Sequence, residues 1–517
     1  MGSVCLSSKK LERGHARRAG YVEEVLLMEH RQKLYSNFVV HGELKSAASE
    51  LQLAHALRAL FLRYPILATT IIPEYWNEKE TYYTSEAFYN KPGLAEDYVS
   101  VVDQLKLEDV IMNKQPEHSK FYNEILNQWE HDGFKYGDDL SVVVSQYTFS
   151  CWDPTKPHFR LVLLPSADDK KGARGFKDIL YITNHVTSDG TSGANLLEDL
   201  SIELGKFSGT NLQQLEYLLH YGRDYEQLPK LPDPIEEKVS YGVNPSFIAS
   251  FLLSQMGKKL LTKKWDQPIT RPIDASPASH MAHIIKIDPT GMQKMRARVK
   301  DKLNGKATLT PFMQACWFVS CYEAGLFDDR KWNEFFINMA VPMNTRQYLP
   351  EDPEVRDRFR YGTVVGGTNF NFLISSFNIT SNQQFWDLTE YYQQWFTKTR
   401  EEGLATKTFG TLFADFVSKS NNLDKLIKQD MMHQRRAFAL LSNVGYRPQK
   451  AQESNPFQLQ DLIFSQAACE MPFVFSLCCV STDIGGMSLT LTCCEESISQ
   501  QQWHKICQVF EKNLTTL

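Results

Sequence analysis

Three prolines within the stretch Leu228-Pro-Lys-Leu-Pro-Asp-Pro-Ile235 interrupt a chain that alternates strand-like and helix-like segments on both sides. Proline has no backbone N–H and a fixed φ, so such a cluster cannot lie inside a sheet or helix and reads as a domain exit. Before it, Leu51 to Leu62 has helical apolar spacing, and Ile66 to Ile72, Phe159 to Leu164 and Ile179 to Thr183 read as strands, the last two separated by a polar break at Ser166 to Arg174. After it comes an irregular crossover, and then the alternation restarts. His283 to Ile287, Phe335 to Val341, Val364 to Leu373, Phe438 to Leu441, Phe473 to Ser481 and Met487 to Cys493 have strand character. Thr290 to Leu303, the segment opened by Thr308-Leu-Thr-Pro311, and Gln383 to Thr399 read as helices. A length of 517 residues allows about three domains. The alternation argues for two α/β halves: residues 1–235, a crossover linker at 236–280, and residues 281–517, each a mixed sheet with helices.

A net charge of −5 gives no basic surplus of the kind phosphate backbones select, so no nucleic-acid partner is expected. No apolar run reaches about 18 residues, and the first residues, MGSVCLSSKKLERGHARR, contain no signal-type apolar core. Leu6 stands where N-myristoylation needs Ser or Thr. These points indicate a cytoplasmic chain with reduced thiols. The ten cysteines form no C-x-x-C, and adjacent pairs such as Cys478-Cys479 and Cys493-Cys494 point to opposite faces of a strand. His280 and His283 lack neighbouring ligands. No metal site is expected.

The sharpest feature is Asp178-Ile-Leu-Tyr-Ile-Thr-Asn-His185-Val-Thr-Ser-Asp189-Gly190-Thr-Ser-Gly193, where a hydrophobic strand gives way to a helix over Asn195 to Leu204. A histidine at the end of a strand projects from a rigid element, and imidazole is a base near neutral pH. Asp189 is placed to brace the turn, and Gly190 to supply backbone freedom. The H-x-x-x-D spacing alone is weak: His220-Tyr-Gly-Arg-Asp224 repeats it, but follows a helical pattern at Leu212 to Leu219, lacks the glycine, and reads as a surface helix end.

His185-Val-Thr-Ser-Asp189-Gly190 resembles the H-x-x-x-D-G signature of the CoA-dependent acyltransferase superfamily, and the chain resembles the yeast alcohol O-acetyltransferases almost end to end. The resemblance includes Gly14-His-Ala-Arg-Arg18, Arg31-Gln-Lys-Leu-Tyr-Ser-Asn-Phe38, the proline stretch, Leu309-Thr-Pro-Phe-Met-Gln-Ala-Cys-Trp317, Tyr361-Gly-Thr-Val-Val-Gly366, Leu441-Ser-Asn-Val-Gly445 and Asp461-Leu-Ile-Phe-Ser-Gln466. It implies two domains of the chloramphenicol-acetyltransferase type with an active-site channel between them. It further implies acetyl-CoA as co-substrate with no permanently bound cofactor, an alcohol as acceptor, and His185 as the base, with no covalent acyl-enzyme. No G-x-S-x-G nucleophile elbow is present.

By the same resemblance Asp189 orients the loop, while Ser442 and Asn443 lie by the cofactor channel as candidate cofactor or oxyanion contacts. Arg346 is matched with Asp461 as a structural pair, although this chain lacks the glycines and tryptophan of the plant relatives' D-F-G-W-G. Basic residues at Arg296, Arg298, Lys300, Lys302 and Arg435-Arg436 are candidates for the CoA phosphates.

Trp503, Ile506, Phe510, Leu514 and Leu517 form an amphipathic stripe. Two readings of it stand open: packing on the protein body, or peripheral attachment to an endoplasmic-reticulum or lipid-droplet surface, helped by the basic stretch Lys9 to Arg18. The expected activity is acetyl transfer to small aliphatic alcohols, with sterols as further acceptors, and with acyl-CoA hydrolysis as a side reaction. The alternatives are N-acetylation of a lipid-like amine and a catalytically silent lipid-binding protein of the same fold. A monomer is expected.

Overall fold

The computed structural model describes residues 6–31, 37–73, 97–147, 153–166, 175–251, 253, 263–264, 267–268, 279–305, 308–328, 335–373, 382–411, 435–467 and 473–517. Two sheets organise them. The first is antiparallel throughout, in the order Leu459–Gln466, Phe38–Ala48, Phe176–Thr183, Phe159–Pro165. The second runs His280–Ile287, Gly486–Cys494, Phe473–Thr482, Arg435–Arg447, Phe335–Asn344, Val365–Leu373. It is mixed, because Arg435–Arg447 pairs parallel with both of its neighbours.

Alternation along the first sheet explains its burial. Phe38, Val40, Leu161, Leu163, Ile179, Tyr181, Leu462 and Phe464 face a core shared with the helices Glu50–Arg63 and Gly190–Lys206. Their neighbours Val39, Val162, Leu164, Leu180, Ile182 and Ile463 pack on the opposite face with Ile125, Trp129, Leu140 and Val144 of the helices Ser119–His131 and Asp138–Ser145. Burial on both faces removes the polar half of the pattern, so these strands read as continuous apolar runs.

Two strands of this sheet escape the sequence patterns. Phe38–Ala48 is central, yet it carries His41, Gly42, Glu43 and Lys45. His41 is buried and answered by Asp178 at 2.7 Å on the adjacent strand. Leu459–Gln466 comes from the far end of the chain and pairs with Phe38–Ala48, so the later half of the sequence completes the sheet of the earlier half. The stretch expected as a strand from Ile66 begins instead as a 3-10 turn at Pro65–Ala68, with proline pre-set for its first position, and the strand is Thr69–Pro73. No helix forms over Leu212 to Leu219; Leu219–His220 is a short strand against Gln104–Leu105. Asp224 is buried and held bidentate by Arg58 at 2.8 and 3.0 Å, which makes the second H-x-x-x-D a structural pair rather than a surface helix end.

The helix Gln500–Thr516 settles where its stripe goes. Trp503, Ile506, Phe510 and Leu514 are buried in the second core, with Trp317 edge-on to Phe510 and Phe475 stacked on Trp503. Arg298 donates to the carbonyls of Leu514 and Thr515 at 2.8 and 2.9 Å and so satisfies the end of this helix. The basic N-terminal stretch is likewise occupied. Lys10 is buried against Asp103 and the carbonyl of Val101, and Arg17 grips both oxygens of Glu23. Among the described residues no helix is long and apolar enough to cross a membrane.

Because the terminal helix is core, Trp503→Ala is expected to cost about 3–5 kcal/mol. Removal of residues 499–517 is expected to yield aggregated protein rather than a soluble enzyme released from membranes. Thermal melts and the soluble fraction on expression check both.

Candidate active site

The strand Phe176–Thr183 ends where Asn184, fully buried, accepts from the N–H of Val186 at 3.0 Å and turns the chain. His185 sits on this bend with its ring against Phe38, centroids 4.4 Å apart. The carbonyls of His185 and Val186 both accept from the Thr363 hydroxyl, at 2.6 and 2.9 Å. The loop is therefore fixed from below by its own strand and from across the molecule by residue 363.

Asp189 is the N-cap of Gly190–Lys206. Its Oδ1 accepts from Ser192 N at 2.7 Å, and its Oδ2 accepts from Arg346 Nη1 at 2.7 Å and from Val364 N at 3.0 Å. Burial alone would push this carboxyl up. The Arg346 charge and the three bonds outweigh it and hold the carboxyl below its usual value. Gly190 has no positive φ, which corrects the expected backbone role. The constraint is space, since a Cβ would lie 2.9 Å from Val444 and 3.1 Å from Phe464.

Arg346 spends its guanidinium on Asp189, on Ser192 Oγ at 2.9 Å, and on the carbonyls of Phe359 and Gly362 at 2.6 and 3.2 Å. The pairing expected between Arg346 and Asp461 is not formed; Asp461 pairs with Lys286. The reason is strand geometry. Asp461 lies near the start of Leu459–Gln466, and at about 3.3 Å per residue the five steps to Gln466 span about 16 Å. The end of that strand which reaches His185 is Gln466, whose Nε2 is 3.2 Å from His185 Nε2. The amide nitrogen can only donate, so His185 Nε2 accepts and the ring proton resides on Nδ1. Withdrawal from water pushes the imidazole down to about 4, and the Asp189 charge and a bond to the Ser188 backbone offset only part of that. His185 is thus a neutral base throughout the physiological range.

His185, Gln466, Ser442 and Asn443 open into one cavity of about 450 Å³, whose walls include Leu26, Val341, Met343, Phe409 and Leu440 together with Glu29. Ser442 and Asn443 sit on Arg435–Arg447 immediately before a bulge, the register shift between Asn443 and Tyr446. Asn443 is held by its amide on Thr310 Oγ1 at 3.0 Å, and it also lines a second cavity of about 440 Å³ with Arg296, Lys300 and Tyr446. Of the basic helix, realised as Pro289–Lys302, Arg296 and Lys300 therefore face this second cavity, whereas Arg298 is committed to the terminal helix. The side chains of Arg435 and Arg436 lie outside the described residues, as do most of Arg31 to Phe38 and much of the crossover.

His283 is hydrogen-bonded to Asp138 at 2.9 Å, and His280 is buried. Among the described residues no group of three or more His, Cys, Asp or Glu is arranged to hold a metal, and seven cysteines are buried free thiols. Gln466 and Glu29 were not singled out by sequence. Only the strand-ending position of Gln466 and the place of Glu29 in an apolar helical stripe signal them.

The chain matches the family described as alcohol acetyltransferase over residues 18–514. It is 33% identical to alcohol O-acetyltransferase 2 of Saccharomyces cerevisiae across 98% of this chain and 97% of that one. It is 32% identical to alcohol O-acetyltransferase 1 of the same yeast across 98% and 96%. Among solved structures it is similar to the trichothecene 15-O-acetyltransferase TRI3 of Fusarium sporotrichioides, with TM-score 0.63 and 12% identity over 97% of this chain and 94% of that one. It is also similar to the epimerization domain of tyrocidine synthetase B, with TM-score 0.57 and 9% identity over 97% and 96%. At these identities the structural likeness shows the fold alone, mixed α/β with several sheets. The chain belongs to the alcohol acetyltransferase family.

Arg346→Ala and Asp189→Asn are each expected to lower stability by about 3–5 kcal/mol, because either leaves a buried polar group unanswered. The double variant should lose clearly less than the sum, measured as a double-mutant cycle in urea. Since the Asp189 pKa is lowered on folding, the pair's contribution is complete above the unfolded carboxylate value of about 3.9. It is lost as pH falls from there through the lower folded value.

Proposed function

We propose that this member of the alcohol acetyltransferase family transfers the acetyl group of acetyl-CoA to the hydroxyl of an alcohol, with His185 as the base. The observation that carries the reading is the place of His185: an uncharged imidazole whose Nε2 lone pair lies beside the Gln466 amide, in an apolar cavity that meets a basic-walled one at Asn443. Arg296 and Lys300 fit the anionic phosphates of CoA in the second cavity, and the apolar cavity fits the carbon body of the acceptor.

The alcohol hydroxyl replaces the Gln466 amide as the donor to His185 Nε2, and passes its proton there as its oxygen attacks the thioester carbonyl. The tetrahedral oxyanion is met by amide and hydroxyl donors already on the wall, Gln466 with Ser442 and Asn443. Collapse breaks the C–S bond, and the proton on Nε2 passes to the departing thiolate. Ester and free CoA leave, with no atom retained by the protein. Asp189 takes no proton, because both of its oxygens are engaged by Arg346, Ser192 and Val364. Its work is to hold the loop.

Small aliphatic alcohols are the proposed acceptors, with sterols as a second class, and water is the competing nucleophile when no alcohol fills the cavity. In this reading the enzyme is a cytoplasmic monomer that works beside endoplasmic-reticulum or lipid-droplet surfaces. Leu253, which is 68% exposed, and Phe251, which lines the cavity, give the crossover apolar surface for that contact.

Purified protein given acetyl-CoA and isoamyl alcohol is expected to release thiol and ester in equal amounts; thiol without ester, or neither, overturns the reading for that acceptor. His185→Ala is expected to abolish ester formation while the melting temperature holds. Gln466→Ala should lower kcat by about 10²-fold. In the wild type the acid limb of kcat/KM should fall near pH 4, and Gln466→Glu should move it upward by placing a carboxylate beside Nε2.

A further inference from the structure

The helix Tyr21–Arg31 carries a stripe at spacings of four and three residues, Val22, Leu26 and position 29. Val22 and Leu26 are buried with Ile235, Tyr241, Phe359 and Val364. The third position of that stripe is Glu29. Leu26 and Glu29 lie on the wall of the cavity that contains His185, where the other carboxylate, Asp189, is fully engaged by Arg346 and two backbone N–H groups. No ion pair or hydrogen bond to Glu29 is made by the described residues, and loss of water pushes its carboxyl up to about 7. A leucine here would continue the stripe at no electrostatic cost. A carboxyl kept in an apolar wall without a partner calls for one from the ligand.

We propose that Glu29 forms a second polar subsite of the acceptor cavity, which takes a hydroxyl at the end of the acceptor remote from the reacting one. The substrate class is then an alcohol with an apolar body and two oxygen-bearing ends, one on His185 Nε2 and the other on Glu29. A hydroxyl suits this carboxyl in either protonation state, since it can accept from the acid and donate to the anion. A cationic group would have to leave water for an apolar cavity, which costs far more than moving a hydroxyl. The inference rests on the acetyl-transfer reading for what occupies the cavity, and adds which acceptors it selects.

The test measures kcat/KM for linear alcohols and for α,ω-diols of the same chain length, halving the diol value for its two equivalent hydroxyls. The wild-type ratio of diol to alcohol should peak at one chain length, the one that spans His185 to Glu29. Glu29→Leu should reduce that peak ratio by about tenfold, and Glu29→Gln, which keeps a neutral donor and acceptor, should retain most of it. Melting temperatures confirm folding, and that of Glu29→Leu should be equal to or above wild type because a desolvated carboxyl has been removed. A ratio unchanged in Glu29→Leu overturns the subsite. So does a ratio lost as completely in Glu29→Gln as in Glu29→Leu, since that outcome requires a charged partner. Wild-type protein that makes ester from no alcohol or diol at all overturns the acetyl-transfer reading itself, and is told apart from failure of the subsite by the absence of any ratio to measure.

Discussion

The guanidinium of Arg346 ties the second sheet to the helix that follows His185. It leaves the end of Phe335–Asn344 and reaches the carboxylate that caps Gly190–Lys206, while its remaining donors hold the 359–362 backbone. Two further arginines from the later half act on the same helix, Arg360 on Asp199 at 2.6 Å and Arg447 on Glu198 at 2.7 Å. Buried pairs of this kind contribute little net stability, because desolvation cancels much of the Coulomb gain. What they supply is a single permitted arrangement. The helix that follows His185 can sit in only one place relative to the second sheet, and Thr363, carried on the same stretch, then fixes the carbonyl of His185 itself. Asp189 can be a cap, an ion-pair partner and an acceptor of Val364 N at once because it stands on the helix axis, where the first-turn N–H groups and the helix dipole already favour an anion.

The same join explains why the expected partner of Arg346 was the wrong carboxylate. Resemblance placed Asp461 near Arg346 because the plant motif begins with an aspartate. In this chain the segment is a regular strand that completes the first sheet, and its acidic residue and its active-site residue sit at opposite ends. Sequence could carry the strand, the bend and the capped helix around His185, because all three are local and leave their patterns in consecutive residues. It could also carry most strands of the second sheet. It could not carry Phe38–Ala48, whose His41, Glu43 and Lys45 are answered by residues distant in the chain, Asp178 for the buried histidine and Lys177 for Glu43. Nor could it decide the fate of the terminal stripe. An apolar helical face looks the same whether Trp317 and Phe475 cover it or lipid does. Glu29 was illegible for a related reason: on its own helix Glu23 is buried too but is satisfied by Arg17, and only the folded structure distinguishes the two.

Desolvation links the site's construction to its chemistry. Phe38 on the ring of His185 and the apolar wall around it remove the water that would stabilise an imidazolium, and the base therefore stays uncharged. In the proposed acetyl transfer a weakly basic imidazole takes a proton from an alcohol reluctantly, and the cost must be returned elsewhere. The Asp189 charge is close enough to favour the imidazolium once it forms, yet its own bonds prevent it from taking the proton, so the field acts without a relay. The oxyanion of that proposed step is of opposite sign and would form next to the ring. In the proposed reaction the Gln466 amide displaced from Nε2 meets that charge, with Ser442 and Asn443 on the same wall. In the proposed reaction the dry wall that weakens the base in the ground state also makes a paired imidazolium and oxyanion strongly attractive in the transition state.

The apolar cavity that holds His185 and the basic-walled cavity have one lining residue in common. Asn443 is the residue that both cavities share, and it is immobilised at both ends of its side chain, by Thr310 on the amide nitrogen and by Gly445 N on the oxygen at 2.9 Å. The bulge that presents it depends on Gly445 at a φ of +94°, a conformation that other residues resist. The second sheet therefore delivers to His185 a rigid corner instead of a flexible loop. The basic residues that face the second cavity, Arg296 and Lys300, come from the helix directly packed beside that corner, while Arg298 between them faces the terminal helix and is spent there. Helical periodicity alone separates the two duties: residues 296 and 300 are one turn apart on one face, and residue 298 is on the other.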